Sequence, residues 1–255
     1  MERARQAVGA LALRLALALV AAASGAGVAA ATSAALTAER AETGADQAAA
    51  CRVVDDAAWR AATTTAFRDV TPNAHAVRNG AVTITSQMAA SILSLAHAAP
   101  PRKGAVLSWR WSARGALNPA DLSKIGADDR IGAVMVGFAP KLEAMSRWER
   151  LKRRLQTRIA GEAAPWRVIA YTWAGAQARA ADVLRSPHLP EQHMIKVLRR
   201  GIDAGEQTAS VDPFADYRTL FGAAPPPISS ISILVDTDDT DSAIRLTLRD
   251  LCLPV

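Results

Sequence analysis

The residues of this 255-residue chain that could do chemistry gather in a few short stretches. Asp128 and Asp129 stand side by side ahead of an apolar run, and Asp236, Asp238, Asp239 and Asp241 crowd one acidic turn. Paired carboxylates are the acid and base of glycoside hydrolysis, which needs them at a set separation across the scissile bond. Asp128 or Asp129 with Asp236 or Asp238 could supply such a pair. The structural alternative is that Asp128 or Asp129 pairs with Arg110 or Arg130, or caps a turn, and does no chemistry. The acidic turn also offers the oxygen ligands that calcium takes, from Asp236, Asp238 and Asp239, although Asp241 stands where an EF-hand loop has glycine. His188 and His193 sit in a proline-bounded loop and His75 and His97 are isolated, so none has the spacing zinc needs. The chain holds no G-x-S-x-G elbow, P-loop or dinucleotide fingerprint after its leader. No catalytic residue and no cofactor other than calcium is therefore assigned.

A different site is written into residues 106–112, Val-Leu-Ser-Trp-Arg-Trp-Ser. As a strand, this stretch puts Leu107, Trp109 and Trp111 on one face and Ser108, Arg110 and Ser112 on the other. Exposed tryptophan pairs are costly, so the tryptophan face belongs to a core. Arg110 on the polar face can fork to a carboxylate or paired hydroxyls. Ser108, Thr172, Ser230 and Ser232 would add donors and acceptors wherever their strands are neighbours.

The elements that must position these groups are mostly strands. Residues 51–255 read as short runs of period-two alternation broken by Gly, Pro and Asn, about ten strands in all. Asn79-Gly80 between two such runs predicts a hairpin. The run over residues 131–138 suits a central strand, and residues 228–237 and 243–252 predict a final pair around the acidic turn. Asp212-Pro213 predicts a helix start, with aspartate as N-cap and proline in the first turn; that helix would bury Phe214, Tyr217 and Phe221 and end at Gly222. A second helix is predicted from Lys141 to Ile159, because Leu142, Met145, Trp148, Leu151, Leu155 and Ile159 recur at spacings of three and four. Its apolar stripe is expected to pack on the sheet with the arginines solvated. Docking to an anionic membrane surface or an acidic partner is the alternative. With strands outnumbering helices and no alternating βαβ order, the pattern favours an antiparallel β-sandwich with about two helices inserted.

Compartment is read from the ends of the chain. The first fourteen residues carry a net +2 and precede a short apolar core, with small residues through Ala29, Ala30 and Ala31 where an A-x-A cut would fit. This is signal-peptide grammar over residues 1–31, followed by a flexible lead-in over 32–50, and it predicts a periplasmic or secreted protein. Cys51 and Cys252 are the only two cysteines and bracket the expected domain, so in an oxidising compartment they could be bridged. The net charge of +6 is local: residues 141–160 hold seven basic residues against Glu143 and Glu149, and the chain outside that segment and the leader sums to −1. No nucleic-acid-binding body is implied.

Five fragments fall in an order that resembles the DUF3047 family of exported bacterial proteins: LSWRW at 107–111, DDRIGAVMVGF at 128–138, IAYTW at 169–173, DPFADYRTLFG at 212–222 and ISILVDTDDT at 231–240. The resemblance spans residues 55–253. In that family the stretch like 236–241 usually reads D-x-D-N-T-G, and here Asp239 and Asp241 replace the asparagine and glycine. The resemblance implies a jelly-roll-like sandwich, similar in outline to carbohydrate-binding modules, and no catalytic residues. The expected function is that of an exported ligand-binding domain, most plausibly for a glycan or cell-envelope component. The alternatives are a carboxylate-dependent glycoside hydrolase and a structural envelope protein docking through its basic helix.

Overall fold

The computed structural model describes residues 51–160, 164–176, 182–202 and 205–255, so the leader and lead-in expected over residues 1–50 lie outside the described residues. Among the described residues, strands dominate and lie in two sheets. The first sheet runs β11 (Gln207–Val211), β6 (Leu107–Ala116), β13 (Ala243–Pro254), β4 (Ala81–Gln87) and β3 (Ala74–Arg78), with β1 (Cys51–Val53) also paired to β13. The second runs β2 (Thr63–Ala66), β5 (Ala90–Ala99), β12 (Ile228–Asp236), β7 (Arg130–Phe138), β8 (Arg167–Ala174), β10 (His193–Arg200) and β9 (Val183–Arg185). The helices are α1 (Asp56–Arg60), α2 (Arg147–Ala160) and α3 (Pro213–Phe221), with a 3-10 turn at Leu142–Ala144.

The core lies between the sheets. Leu107, Trp109 and Trp111 of β6 are buried, as their alternation predicts, and they meet the inner face of the second sheet. The Trp109 ring lies 6.2 Å from that of Tyr171 and the Trp111 ring 5.3 Å from that of Trp173, on β8. On β12 the inner face is Ile231, Ile233 and Val235. The opposite face of the second sheet is apolar too: Ile92, Ala133, Met135, Val168, Ala170, Ile195 and Leu234 form a second buried cluster with Phe67 and Leu122. This sheet is therefore covered on both sides, which explains why every residue of β7 is buried.

Several local expectations hold. Asn79 and Gly80, at φ 53° and 72°, turn β3 into β4. The Asp212 side chain caps α3 by accepting from the Phe214 and Ala215 backbone N–H groups at 3.0 and 2.9 Å, and Gly222 ends the helix in the left-handed region. Cys51 and Cys252 are disulfide-bonded, their Cα atoms 5.4 Å apart, joining the first strand to the last.

Three expectations are corrected. The strands flanking the acidic turn do not pair with each other: β12 lies between β5 and β7 in the second sheet, and β13 lies between β4 and β6 in the first. The turn thus carries the chain from one layer to the other. The second sheet is not wholly antiparallel, because β10 runs parallel to β8. On α2 the apolar stripe faces outward instead of packing on the sheet, while Arg147, Arg150, Arg154 and Arg158 are exposed as expected and Arg153 turns inward. Trp148, Leu151 and Leu155 are exposed, whereas Arg153 is buried and donates to the Ala164 carbonyl at 2.7 Å. The helix itself begins at Arg147, capped by Ser146 and Glu149, each side chain accepting from the other's backbone N–H at 3.2 and 2.8 Å.

Candidate functional site

The expected site splits into two halves on different sheets. Arg110 and Ser108 lie on β6 in the first sheet, with β11 and β13 as neighbours. Thr172, Ser230 and Ser232 lie on the outer face of the second sheet, on the far side of the core. Arg110 is moreover engaged: it is ion-paired with Asp250 and, at 2.8 Å, with Glu206, which also takes Arg249 at 2.8 Å. This is a solvated charge network. Thr172 is fully buried and its hydroxyl donates to its own strand at the Ala170 carbonyl.

What the fold does assemble lies on that outer face. Period-two alternation turns Ser230, Ser232, Leu234 and Asp236 of β12 outward, opposite the inward Ile231, Ile233 and Val235. In register beside them stand Met135 of β7, Ala170 of β8 and Ile195 of β10. A register shift between β7 and β12 brings Arg130 directly across from Asp236. Together with Ile92, Val168 and Leu234 these residues line a cavity of about 50 Å³. Its walls are apolar, and its polar groups are Arg130, Ser186, His188, His193 and Asp236 with Ser230 and Ser232.

Behind one wall sits a buried charge cluster. Arg130 donates to the Asp128 carboxylate at 2.6 Å and to the Asp128 carbonyl at 2.8 Å. His188 Nε2 hydrogen-bonds both Asp128 carboxylate oxygens, at 3.1 and 3.0 Å. Burial works against the charge on Asp128, but the hydrogen bond from His188 and the Arg130 guanidinium outweigh it and hold the carboxyl below its ordinary range. Asp236 goes the other way. Burial drives its pKa well above the usual value; Arg130 opposes this, while a hydrogen bond shared with Asp238 and the charge of Asp128 add to it. Burial also takes the His193 imidazole down to about 3, with the neighbouring His188 contributing, so His193 stays neutral. Three inaccessible polar atoms here have no hydrogen-bond partner among the described residues: His188 Nδ1, His193 Nε2 and Asp236 Oδ1.

Asp129 points elsewhere and organises the acidic turn. Its carboxylate accepts from the Asp239 and Thr240 backbone N–H groups at 3.2 and 2.9 Å and from the Thr240 hydroxyl at 2.6 Å. This is the turn-capping role weighed against chemistry for Asp129. The carboxylates that converge are Asp129, Asp238 and Asp239, each with an oxygen within 4.8 Å of the others, a donor type that suits a hard cation. Asp236 turns toward the cavity instead. Asp241 sits at φ 52°, a left-handed turn position that favours glycine and that aspartate tolerates. Burial and the charges of Asp238, Asp128 and Asp129 raise Asp239 to about 6.

Two residues without a metal-binding spacing, His188 and His193, are brought by the fold to the cavity. The signal for His193 was its place at the head of β10, where alternation sets it on the same face as Ile195. His188 had none, since its position depends on how residues 186–192 fold back over the sheet, with the Ser186 N–H donating to the His193 carbonyl at 2.9 Å.

Comparison with curated proteins gives no match. The family described as "Protein of unknown function (DUF3047)" matches over residues 57–252, a stretch that takes in both sheets except β1 and the last two residues of β13, and every residue of the cavity. The chain belongs to the DUF3047 family.

Proposed function

We propose that this chain is an exported binding protein for a small amphipathic component of the cell envelope, held in the cavity on the outer face of the second sheet. The observation that carries this is one apolar-walled cavity lined by His188, His193 and Asp236, each of which holds a buried polar atom with no hydrogen-bond partner among the described residues. Buried polar groups are ordinarily satisfied, so such a cluster suits a bound group that donates and accepts, such as a hydroxyl, amide or carboxyl. Arg130 is neutralised by Asp128, which favours a polar head over a strongly charged one. The walls offer Ile92, Met135, Val168, Ala170, Ile195 and Leu234 to an alkyl arm, and among the described lining residues there is no Trp or Tyr and a single Phe, Phe67. That composition favours an alkyl arm over a sugar, so a glycan ranks second as ligand. The Cys51–Cys252 disulfide supports a periplasmic or extracellular location. A jelly-roll-like outline belongs to the same proposal: successive described strands change sheets at β1–β2, β2–β3, β4–β5, β5–β6, β6–β7, β10–β11, β11–β12 and β12–β13.

A homologous series of straight-chain alcohols and carboxylic acids, followed by calorimetry, tests this reading. Affinity is expected to rise roughly fourfold per added methylene, equivalent to ~0.8 kcal/mol for each one buried, and to level off once the cavity is full. Ala170→Leu, which fills the cavity from β8, is expected to abolish the rise. A series with no length dependence, or one indifferent to Ala170→Leu, sinks the reading.

One observation favours a hydrolase as the second reading. Asp128 and Asp236 flank Arg130 with their pKa values displaced in opposite directions, the relation expected of a base and an acid. Turnover of any glycoside that is lost in Asp236→Asn and kept in Asp129→Asn would promote it.

A further inference from the structure

Helix α2 carries its apolar stripe on the outside. Trp148 is 62% exposed, Leu151 53% and Leu155 59%, and Leu142 just before the helix is 54% exposed. A lone exposed leucine is ordinary, but three large apolar residues at helical spacing on one face are not. The helix has not simply come loose. Arg153 is buried beneath it, Gln156 donates to the Pro165 carbonyl at 3.0 Å, Met145 is buried at its foot, and Lys152 pairs with Glu191 at 2.6 Å. These contacts fix the helix on the body with the Trp148 face turned out.

Alongside the stripe runs a band of cations. Arg150, Arg154 and Arg158 line an open groove of about 770 Å³ with Leu142 and Glu143, and the segment from residue 141 to 160 carries a net +5. On the other flank, Lys152 reaches over the Trp148 ring, 5.7 Å from its centroid. Trp, Leu and Leu on one face bordered by arginines match the boundary between acyl chains and anionic headgroups: the rings and branched chains enter the interface while guanidinium groups meet phosphate oxygens. An acidic protein would satisfy the arginines but gives no particular use for three solvent-facing apolar side chains beside them. Among the described residues no helix is long and apolar enough to cross a membrane, so the attachment would be to a surface.

We propose that the Trp148–Leu151–Leu155 face of α2, with Arg150, Arg154 and Arg158 beside it, docks this protein onto an anionic phospholipid bilayer. The inference does not depend on what the cavity holds.

The test uses Trp148 itself, because the other five of the six tryptophans (Trp59, Trp109, Trp111, Trp166 and Trp173) are buried. The protein is mixed with vesicles of phosphatidylglycerol and phosphatidylethanolamine, or of phosphatidylcholine alone, and followed by co-sedimentation and by acrylamide quenching. On anionic vesicles, binding with protection of Trp148 from quencher is expected, and on phosphatidylcholine little of either. Leu151→Ser with Leu155→Ser is expected to remove both; these residues are exposed, and an unchanged thermal unfolding curve confirms the fold. Arg150→Gln with Arg154→Gln and Arg158→Gln is expected to weaken anionic binding roughly 10- to 100-fold. Equal binding to both lipid compositions overturns the proposal, as does binding untouched by the leucine pair. Absence of vesicle binding also overturns it, including the case in which sedimentation velocity shows the same leucines holding a dimer together.

Discussion

Replacing Asp128 with alanine is expected to cost about 3–5 kcal/mol of stability in denaturant unfolding, the range found when one partner of a buried ion pair is removed. The carboxylate is 3% exposed and Arg130 6%, so solvent cannot take over the lost interaction. Arg130 would keep its bond to the residue-128 carbonyl, and His188 would lose both of its contacts to the carboxylate. One compensation is built in. Asp236 stands across from Arg130, and burial first and the charge of Asp128 after it push its carboxyl up, so removing Asp128 is expected to bring it down and shift part of the pairing onto Asp236. Asp128→Ala combined with Asp236→Asn is therefore expected to be worse than the sum of the two. A loss below about 1 kcal/mol for Asp128→Ala would mean that the cluster is not held as described.

The second large effect is acid sensitivity through His193. Its folded-state pKa of about 3 lies below the ordinary 6.5, so between these values the unfolded chain binds a proton that the folded one refuses. Stability must then fall as pH drops from 6.5 toward 3, by up to roughly 1.4 kcal/mol per unit, a few kcal/mol in all. Asp239, raised to about 6, acts with the opposite sign: the folded protein binds the extra proton, so this group favours folding as pH falls through 6. The comparison that isolates the histidine is wild type against His193→Gln across this range. The variant is expected to show a flatter loss on the acid side, and parallel curves would remove His193 from the account.

These groups also mark how far the sequence could be read. Alternation assigned Trp109 and Trp111 to the core and Ser230 and Ser232 to the opposite kind of face, and capping residues placed α3, because these signals act within one element. Alternation does not say which sheet a strand joins. Alternation over residues 228–237 and 243–252 therefore reads as a pair although the turn between them changes layers, and it lets Arg110 join Ser232 although the core lies between. On α2 the same limit took another form. The period of three and four is real, but helical amphipathicity does not reveal which face the body accepts; here that face carries a buried hydrogen bond from Arg153 and a partly buried one from Gln156. His188 is illegible for a third reason: its pairing with Asp128 spans 60 residues and exists only once a loop folds over the second sheet.

The central claim is that the outer face of the second sheet, and not the Arg110 face of the first, receives the ligand. Methyl and amide NMR during titration with octanol and octanoic acid addresses it directly. The methyl signals of Met135, Ile195 and Leu234 and the ring signals of His188 and His193 are expected to move together and saturate, with Ser108 and Arg110 unmoved. Shifts centred on Ser108 and Arg110, or no saturable shift at the cavity residues, would contradict the claim.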